Sequence, residues 1–167
     1  MTTPLPNGMD ALLQLKEDHR VLSELFAKYQ RVGSRIGDAR AALFEEIKGE
    51  LGRHRILEEE LFYPAFPERR MARLESASQR EREHQLLDML LSDLSALGAN
   101  THVFGIKMQI LIVTFLHHSA EEERNLFPLF EALPKRTRKR VSERMRSRRQ
   151  ELVQESESGL AVAGIPE

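Results

Sequence analysis

The chain contains no cysteine. It therefore has no disulfide bond, no thiolate metal site and no cysteine nucleophile, and this absence fits a reducing compartment. An excess of charge of one sign is also missing, since 25 lysine and arginine residues stand against 26 aspartate and glutamate residues, a formal net charge of −1. No global field then draws the whole molecule to nucleic acid or to a membrane.

Long hydrophobic runs are missing as well. The longest, around Ile110–Leu116, is far shorter than the roughly 20 residues of a membrane span. Residues 1–8 have neither a basic start nor an apolar core, so they do not resemble a secretory signal. These absences predict a soluble, cytoplasmic protein without a membrane partner, and a length of 167 residues predicts one domain with a sizeable core.

Strand signals are absent too, because the apolar residues recur at spacings of three and four rather than two. Asp10 is placed to cap a first helix, and Gly98–Thr101 separates the third helix from the fourth. Pro128 is expected to end the fourth helix. We predict an all-α fold, an up-down-up-down four-helix bundle over residues 10–133 that follows a flexible N-terminal tail, residues 1–9.

The composition changes after Pro134. Residues 135–149 contain nine basic residues and one acidic residue. They lack the interleaved aromatic residues that stack on bases, so nucleic acid is disfavoured as a partner, whereas an acidic partner stays open. We expect an additional basic helix over residues 134–155 that packs Val141, Met145 and Leu152 against the bundle, followed by a flexible tail over 156–167.

Polar residues interrupt the apolar stripes of the four helices. His118 and Glu122, for example, are four residues apart and share a helix face with Leu111 and Phe115. Burying a lone imidazole or carboxylate is costly unless the group is paired or bound to metal. The same anomaly occurs in all four stripes, at His19, His54, Glu58, His84, His118 and Glu122.

An internal repeat relates these positions. Adding 64 to three positions of the second helix gives three of the fourth: His54, Glu58 and Pro64 become His118, Glu122 and Pro128. Adding 65 relates His19 of the first helix to His84 of the third. His117 and Glu121 are also four residues apart, but the offset of 64 does not relate them to His54 and Glu58. The chain therefore reads as two copies of one helical hairpin.

Four imidazoles and two carboxylates suit two metal ions, each held by two histidines, with the carboxylates bridging. Mixed imidazole and carboxylate donors with open positions favour iron, and manganese and zinc are the alternatives. A single one of these histidines would be read as a hydrogen-bonded core residue. Six such residues that recur at one offset favour a metal site instead.

These residues give the chain its resemblance to the hemerythrin-like HHE cation-binding domain, over about residues 10–130. The matching segments are Glu17-Asp18-His19-Arg20, His54-x3-Glu58-Glu59 with Leu61-Phe62-Tyr63-Pro64, Glu83-His84-Gln85, and His118-x3-Glu122-Glu123 with Leu126-Phe127-Pro128. The resemblance implies a four-helix bundle around a non-haem di-iron centre. It also implies the ligand set: His19 and His54 on one iron, His84 and His118 on the other, and bridging Glu58 and Glu122.

The third helix departs from the pattern of the family. Oxygen-carrying hemerythrins have a further histidine four residues after the first one there, where this chain has Asp88. The resemblance then implies a six-ligand centre with open coordination positions, Asp88 being a candidate further ligand. Reaction or sensing is expected of such a centre rather than reversible oxygen carriage. Members that repair iron–sulfur clusters carry a cysteine-bearing segment that is missing here.

Two functions stay open at this stage. The first is a di-iron protein that binds or reacts with O2, H2O2 or NO, which includes a catalase-like oxidoreductase, its ligand entering between apolar side chains: Leu22, Leu51, Leu87 and Phe115. The second is an iron or redox sensor or an iron-storage module without turnover. A metal-free structural bundle is the third and least favoured reading. Tyr63, five residues after Glu58, could donate a hydrogen bond near the metals, but it is expected instead to pack at the bundle end with its hydroxyl outward.

Overall fold

The computed structural model describes residues 10–32, 37–67 and 76–158. The predicted tails at 1–9 and 159–167 lie outside these ranges, as do residues 33–36 and 68–75. Within the described ranges every regular element is helical, which confirms the all-α prediction. The α-helices are α1 (Ala11–Val32), α2 (Gly37–Leu57), α3 (Ser76–Ala96), α4 (His102–Glu121), α5 (Phe127–Glu131) and α6 (Lys135–Glu157).

Side-chain caps begin two of these helices. The Asp10 carboxylate accepts a hydrogen bond from the backbone N–H of Leu12 at 3.1 Å, as the sequence predicts. The Thr101 hydroxyl accepts one from the backbone N–H of Phe104 at 3.2 Å. Each cap satisfies a backbone donor that has no partner inside its own helix.

Two π-helical turns, Glu58–Phe62 and Glu122–Leu126, continue α2 and α4. Each begins at a glutamate that the sequence predicts as a metal ligand, and π turns often occur at functional sites. The expectation that Pro128 ends the fourth helix is wrong. Pro128 lies in the first turn of α5, where a proline costs no backbone hydrogen bond, so the helical path continues to Glu131.

The apolar core has two parts, and the predicted metal ligands lie between them along the helices. One part contains Phe26, Phe44, Leu51 and Phe115, and the other contains Leu57, Phe62, Leu126 and Phe130. Both parts use side chains from both hairpins, so packing on each side holds the polar layer in place.

Helix α6 lies against α1 and α2. Val141, Met145 and Leu152 are buried there, as the sequence predicts, and the Ala11 backbone N–H donates to the Ser142 hydroxyl at 2.9 Å. The helix ends at Glu157, two residues beyond the predicted end at 155. Docking of an acidic partner on its remaining basic residues stays a prediction.

The stretch His102–Glu131 is long and apolar enough to cross a membrane, with a mean hydropathy of 1.3. Core helices of bundles have the same length and composition. Here Met108, Leu111 and Phe115 of this stretch are fully buried in the bundle.

Candidate metal centre

The structure brings all six predicted ligands together as buried side chains. They form two groups in which the ligand atoms lie within 4.8 Å of one another. The first group is His19, His54, Glu58 and Glu122, and the second is Glu58, His84 and His118. The grouping agrees with the division into two sites that the family resemblance implies, and the ligand set itself stays a prediction.

Glu58 is the residue that the two groups share. Its Oε1 lies 3.0 Å from Nε2 of His54. Its Oε2 lies 3.5 Å from Nε2 of His84 and 3.6 Å from Nε2 of His118. One oxygen therefore faces His54 of the first group and the other faces His84 and His118 of the second, so that Glu58 is placed where a carboxylate could bridge two cations.

Glu122 is placed differently. Its Oε2 lies 3.6 Å from Nε2 of His19 and 3.8 Å from Nε2 of His118. Its Oε1 already has a hydrogen-bond partner, because the Tyr63 hydroxyl donates to it at 2.8 Å. Glu122 therefore presents one oxygen to the centre where Glu58 presents two.

Several polar atoms of the cluster are buried without a hydrogen-bond partner among the described residues: Nε2 of His19 and His54, both carboxylate oxygens of Glu58, and Oε2 of Glu122. Leaving such atoms unsatisfied costs on the order of 1–3 kcal/mol each, and more when they are charged. Cations coordinated by these atoms would satisfy all of them at once. The donor set therefore fits bound metal.

Every histidine of the cluster contacts a carboxylate through its other ring nitrogen. The Nδ1-to-carboxylate distances are 2.7 Å for His19–Glu123, 2.9 Å for His84–Glu59, 3.4 Å for His54–Asp18 and 3.3 Å for His118–Glu83. A carboxylate at Nδ1 favours the proton there and leaves Nε2 as the metal-binding nitrogen. The repeat relates these four carboxylates, because its offsets turn Glu59 into Glu123 and Asp18 into Glu83.

The ionisable groups of the metal-free cluster shift one another's pKa values. Although burial opposes it, the carboxylates of Glu58 and Asp18 raise the pKa of His54 to about 10. The pKa of His118 is likewise raised to about 10 against the effect of burial, here by Glu58 and Glu83. Burial and the neighbouring Glu58 raise the pKa of Glu122. Without metal, the cluster therefore holds protons that a cation would displace.

Tyr63 points into the centre, so the expectation of an outward hydroxyl is wrong. Besides its bond to Glu122, its hydroxyl lies 3.4 Å from Nε2 of His84. Burial, with the charges of Glu58 and Glu122, raises the pKa of Tyr63 well above its usual value, so the phenol stays a proton donor. The repeat offset of 64 pairs Tyr63 with Phe127, whose ring stacks on His19 at a centroid distance of 6.0 Å.

A family model, the hemerythrin HHE cation binding domain, matches residues 10–130. The chain belongs to this family. A solved structure, that of a hemerythrin HHE cation binding domain-containing protein from Mycobacterium kansasii, is similar, with 25% sequence identity and a TM-score of 0.73. The likeness covers 94% of this chain and 95% of that one. No curated protein sequence matched the chain.

Within this HHE domain, two further candidates from the sequence lie outside the ligand groups. Asp88 forms an ion pair with Arg55, and its side chain is 38% exposed. The structure therefore does not bring Asp88 into the cluster. The side chain of His117 is 54% exposed and contacts Glu83, so the geometry agrees with the choice of His118 over His117.

The HHE centre is approached by a cavity of about 430 Å³ on the side of the second ligand group. It is lined by side chains that carry charged or polar groups: Arg55, Glu59, Tyr63, Arg80, Glu81, His84, Gln85 and Asp88. By contrast, the apolar entrance expected from the sequence is filled, because Leu22, Leu51, Leu87 and Phe115 are fully buried in one continuous core cluster. The cavity reaches two residues of the centre, Tyr63 and His84.

Proposed function

We propose that this HHE domain holds two iron ions and reacts with a small oxygen species, and that the species is hydrogen peroxide. The observation that carries the proposal is the position of Glu58, whose Oε1 faces His54 and whose Oε2 faces His84 and His118. One shared carboxylate between two imidazole groups supports a pair of ions rather than a single one. Mixed nitrogen and oxygen donors with open positions favour iron.

The approach to the centre favours a polar substrate over an apolar diatomic gas. The cavity beside the second group carries charged and amide side chains, and its inner end is formed by Tyr63 and His84. Peroxide, being small and polar, can hydrogen-bond along such a lining. Its disproportionation converts two molecules of peroxide to water and dioxygen, so no further oxidant or reductant is required.

Bound iron would supply the redox chemistry, and the chain's own residues would place and protonate the substrate. The Tyr63 phenol holds its proton in the centre, 2.8 Å from Glu122 and 3.4 Å from His84. It can donate a hydrogen bond to an oxygen that enters from the cavity. The carboxylates at the four Nδ1 atoms fix the imidazole rings.

The proposal is tested by measuring iron content and dioxygen release together. Iron-loaded protein should release dioxygen when peroxide is added, in proportion to its iron content. Protein that holds stoichiometric iron without releasing dioxygen would exclude the peroxide reaction but would agree with the proposed iron site.

A second candidate, an iron or redox sensor without turnover, is favoured by one contact. Arg149 of α6 donates to Asp18 at 2.6 Å, and Asp18 lies at Nδ1 of His54. The state of the first group is thereby connected to the C-terminal helix. Amide hydrogen exchange in α6 that changes strongly on iron loading, in protein without peroxide activity, would favour the sensor.

A further inference from the structure

The outer face of α4 carries a line of exposed aliphatic side chains. They are Val103 (49% exposed), Ile106 (48%), Ile110 (44%), Val113 (64%) and Leu116 (43%). We name these five residues the α4 stripe. Single exposed aliphatic residues are ordinary, but a continuous line of five along one helix is not.

No charged side chain interrupts the α4 stripe. The exposed residues of α4 between 102 and 120 are the stripe itself together with His102, Gln109, His117 and Ala120. Lys107, at the edge of the stripe, forms an ion pair with Asp93 of α3 at 2.6 Å. In a chain that is 31% charged, this helix face is free of Asp, Glu, Lys and Arg over five turns.

The spacing of the stripe matches a helix-packing seam. Val103, Ile106, Ile110 and Val113 follow one another at intervals of three, four and three, the a/d spacing at which helices pair side by side. Met89 of α3 is 54% exposed and lies one turn from Asp93, on the side of α3 next to α4. Because Asp93 pairs with Lys107 of α4, Met89 extends the apolar surface on this side of α4.

We propose that the α4 stripe is the interface between two copies of this chain. Five half-exposed aliphatic side chains present on the order of 450 Å² per copy, about the largest apolar patch that monomers leave in water. Two copies would bury about 900 Å² through the stripe alone, close to the roughly 1,000 Å² that a specific interface needs, and the exposed Met89 adds to this area. In a second copy, the same helix face has no charged side chain and carries aliphatic side chains at the same spacing, so it matches the α4 stripe.

The proposal does not depend on the function proposed for the metal centre. The stripe faces away from the bundle interior, in which the same helix buries His118. Loss of the dimer should therefore leave metal content unchanged. Conversely, loss of a metal ligand should not by itself remove the apolar surface.

The oligomeric state of the metal-loaded full-length protein tests the proposal by light scattering during gel filtration at micromolar concentration. The wild type should elute with twice the 19.2 kDa mass of the chain. Ile110→Glu should raise the dissociation constant of the dimer about 100-fold or more and give monomer, because it buries an unpaired charge. Leu13→Glu is the matched control, since Leu13 of α1 is 55% exposed and lies outside the stripe.

Cross-linking provides a test that does not depend on a destabilised variant. The chain has no cysteine, so Ile110→Cys and Leu13→Cys each introduce a single thiol. Under a mild oxidant, Ile110→Cys should form a covalent dimer at least ten times faster than Leu13→Cys.

Equal cross-linking rates would overturn the proposal, as would a monomeric wild type at about 100 μM. Flotation of a monomeric wild type with phosphatidylcholine vesicles would overturn it in favour of a lipid surface.

Discussion

The two halves of the metal centre use the same residue types in different surroundings. Each half has two histidines with a carboxylate behind each imidazole. Glu58 belongs to both halves, and Glu122 belongs to the first. The first half is closed, because Phe127 stacks on His19 and Arg149 lies against Asp18. The second half has the Tyr63 hydroxyl and the cavity.

This difference separates metal binding from reactivity. In the proposed function, the symmetric part, which the repeat dictates, would provide the donors for two ions. The asymmetric part is the Tyr63 hydroxyl and the cavity. In the proposed function it would determine from which side peroxide arrives and where a proton is held. Variants that give one half the asymmetric features of the other should therefore change reactivity without changing metal binding.

The largest effect is expected at the shared carboxylate. Glu58→Gln should remove metal from both halves, because Glu58 contributes to both ligand groups. Glu122→Gln should leave the second half loaded, since Glu122 belongs only to the first group. Metal per chain, measured by elemental analysis, checks this. Equal metal loss in the two variants would contradict the difference between the carboxylates.

The next effect concerns reactivity. Tyr63→Phe makes the second half resemble the first, and it should lower kcat/KM for peroxide by about 100-fold with unchanged metal content, because it removes a positioned proton donor. Phe127→Tyr is the control on the closed side and should leave kcat/KM nearly unchanged. Stopped-flow dioxygen release measures both. A Tyr63→Phe protein with wild-type kcat/KM would show that the hydroxyl has no part in the reaction.

A smaller effect is expected from α6. Arg149→Ala should weaken metal binding in the first half about tenfold, because Asp18 loses the arginine that holds it against His54. Arg148→Ala is the matched control, since Arg148 pairs with the exposed Glu60. Competitive chelator titration gives the two affinities. Equal affinity in both variants would remove the link between α6 and the centre.

The smallest effect is the pH dependence of the metal-free protein. The pKa values of His54 and His118, raised to about 10, lie above the unfolded value of about 6.5. Their contribution to the free energy of unfolding is therefore complete below pH 6.5 and is lost as pH rises through 10. Tm should fall over this range in metal-free protein, and metal loading at pH 7 should release protons. A Tm that rises with pH would contradict the assignment.

The sequence predicted the fold and the composition of the cluster because both depend on periodic patterns. A histidine in an apolar stripe is conspicuous, and an offset of 64 or 65 connects its copies. The four helices, their order and the packing of Val141, Met145 and Leu152 depend on the same apolar spacing.

What the sequence missed depends on geometry that no local pattern encodes. The two π turns have no sequence signature. The first of them begins at Glu58 and ends directly before Tyr63, whose hydroxyl points into the centre. The contact of Arg149 with Asp18 joins residues 131 positions apart and is set only when α6 docks. Asp88 is a candidate ligand by resemblance, since it stands where oxygen-carrying hemerythrins have a further histidine, but its carboxylate pairs with Arg55 instead. The pairing of Tyr63 with Phe127 was the one available signal, since each residue directly precedes a repeated proline.

The central claim, a pair of ions shared by Glu58, is tested most directly by counting iron. Protein loaded with ferrous iron without oxygen and freed of excess metal should contain two irons per chain, and its visible spectrum should change when peroxide is added. Glu58→Gln, treated in the same way, should contain almost none. One iron per chain in the wild type, or full loading of Glu58→Gln, would contradict the account.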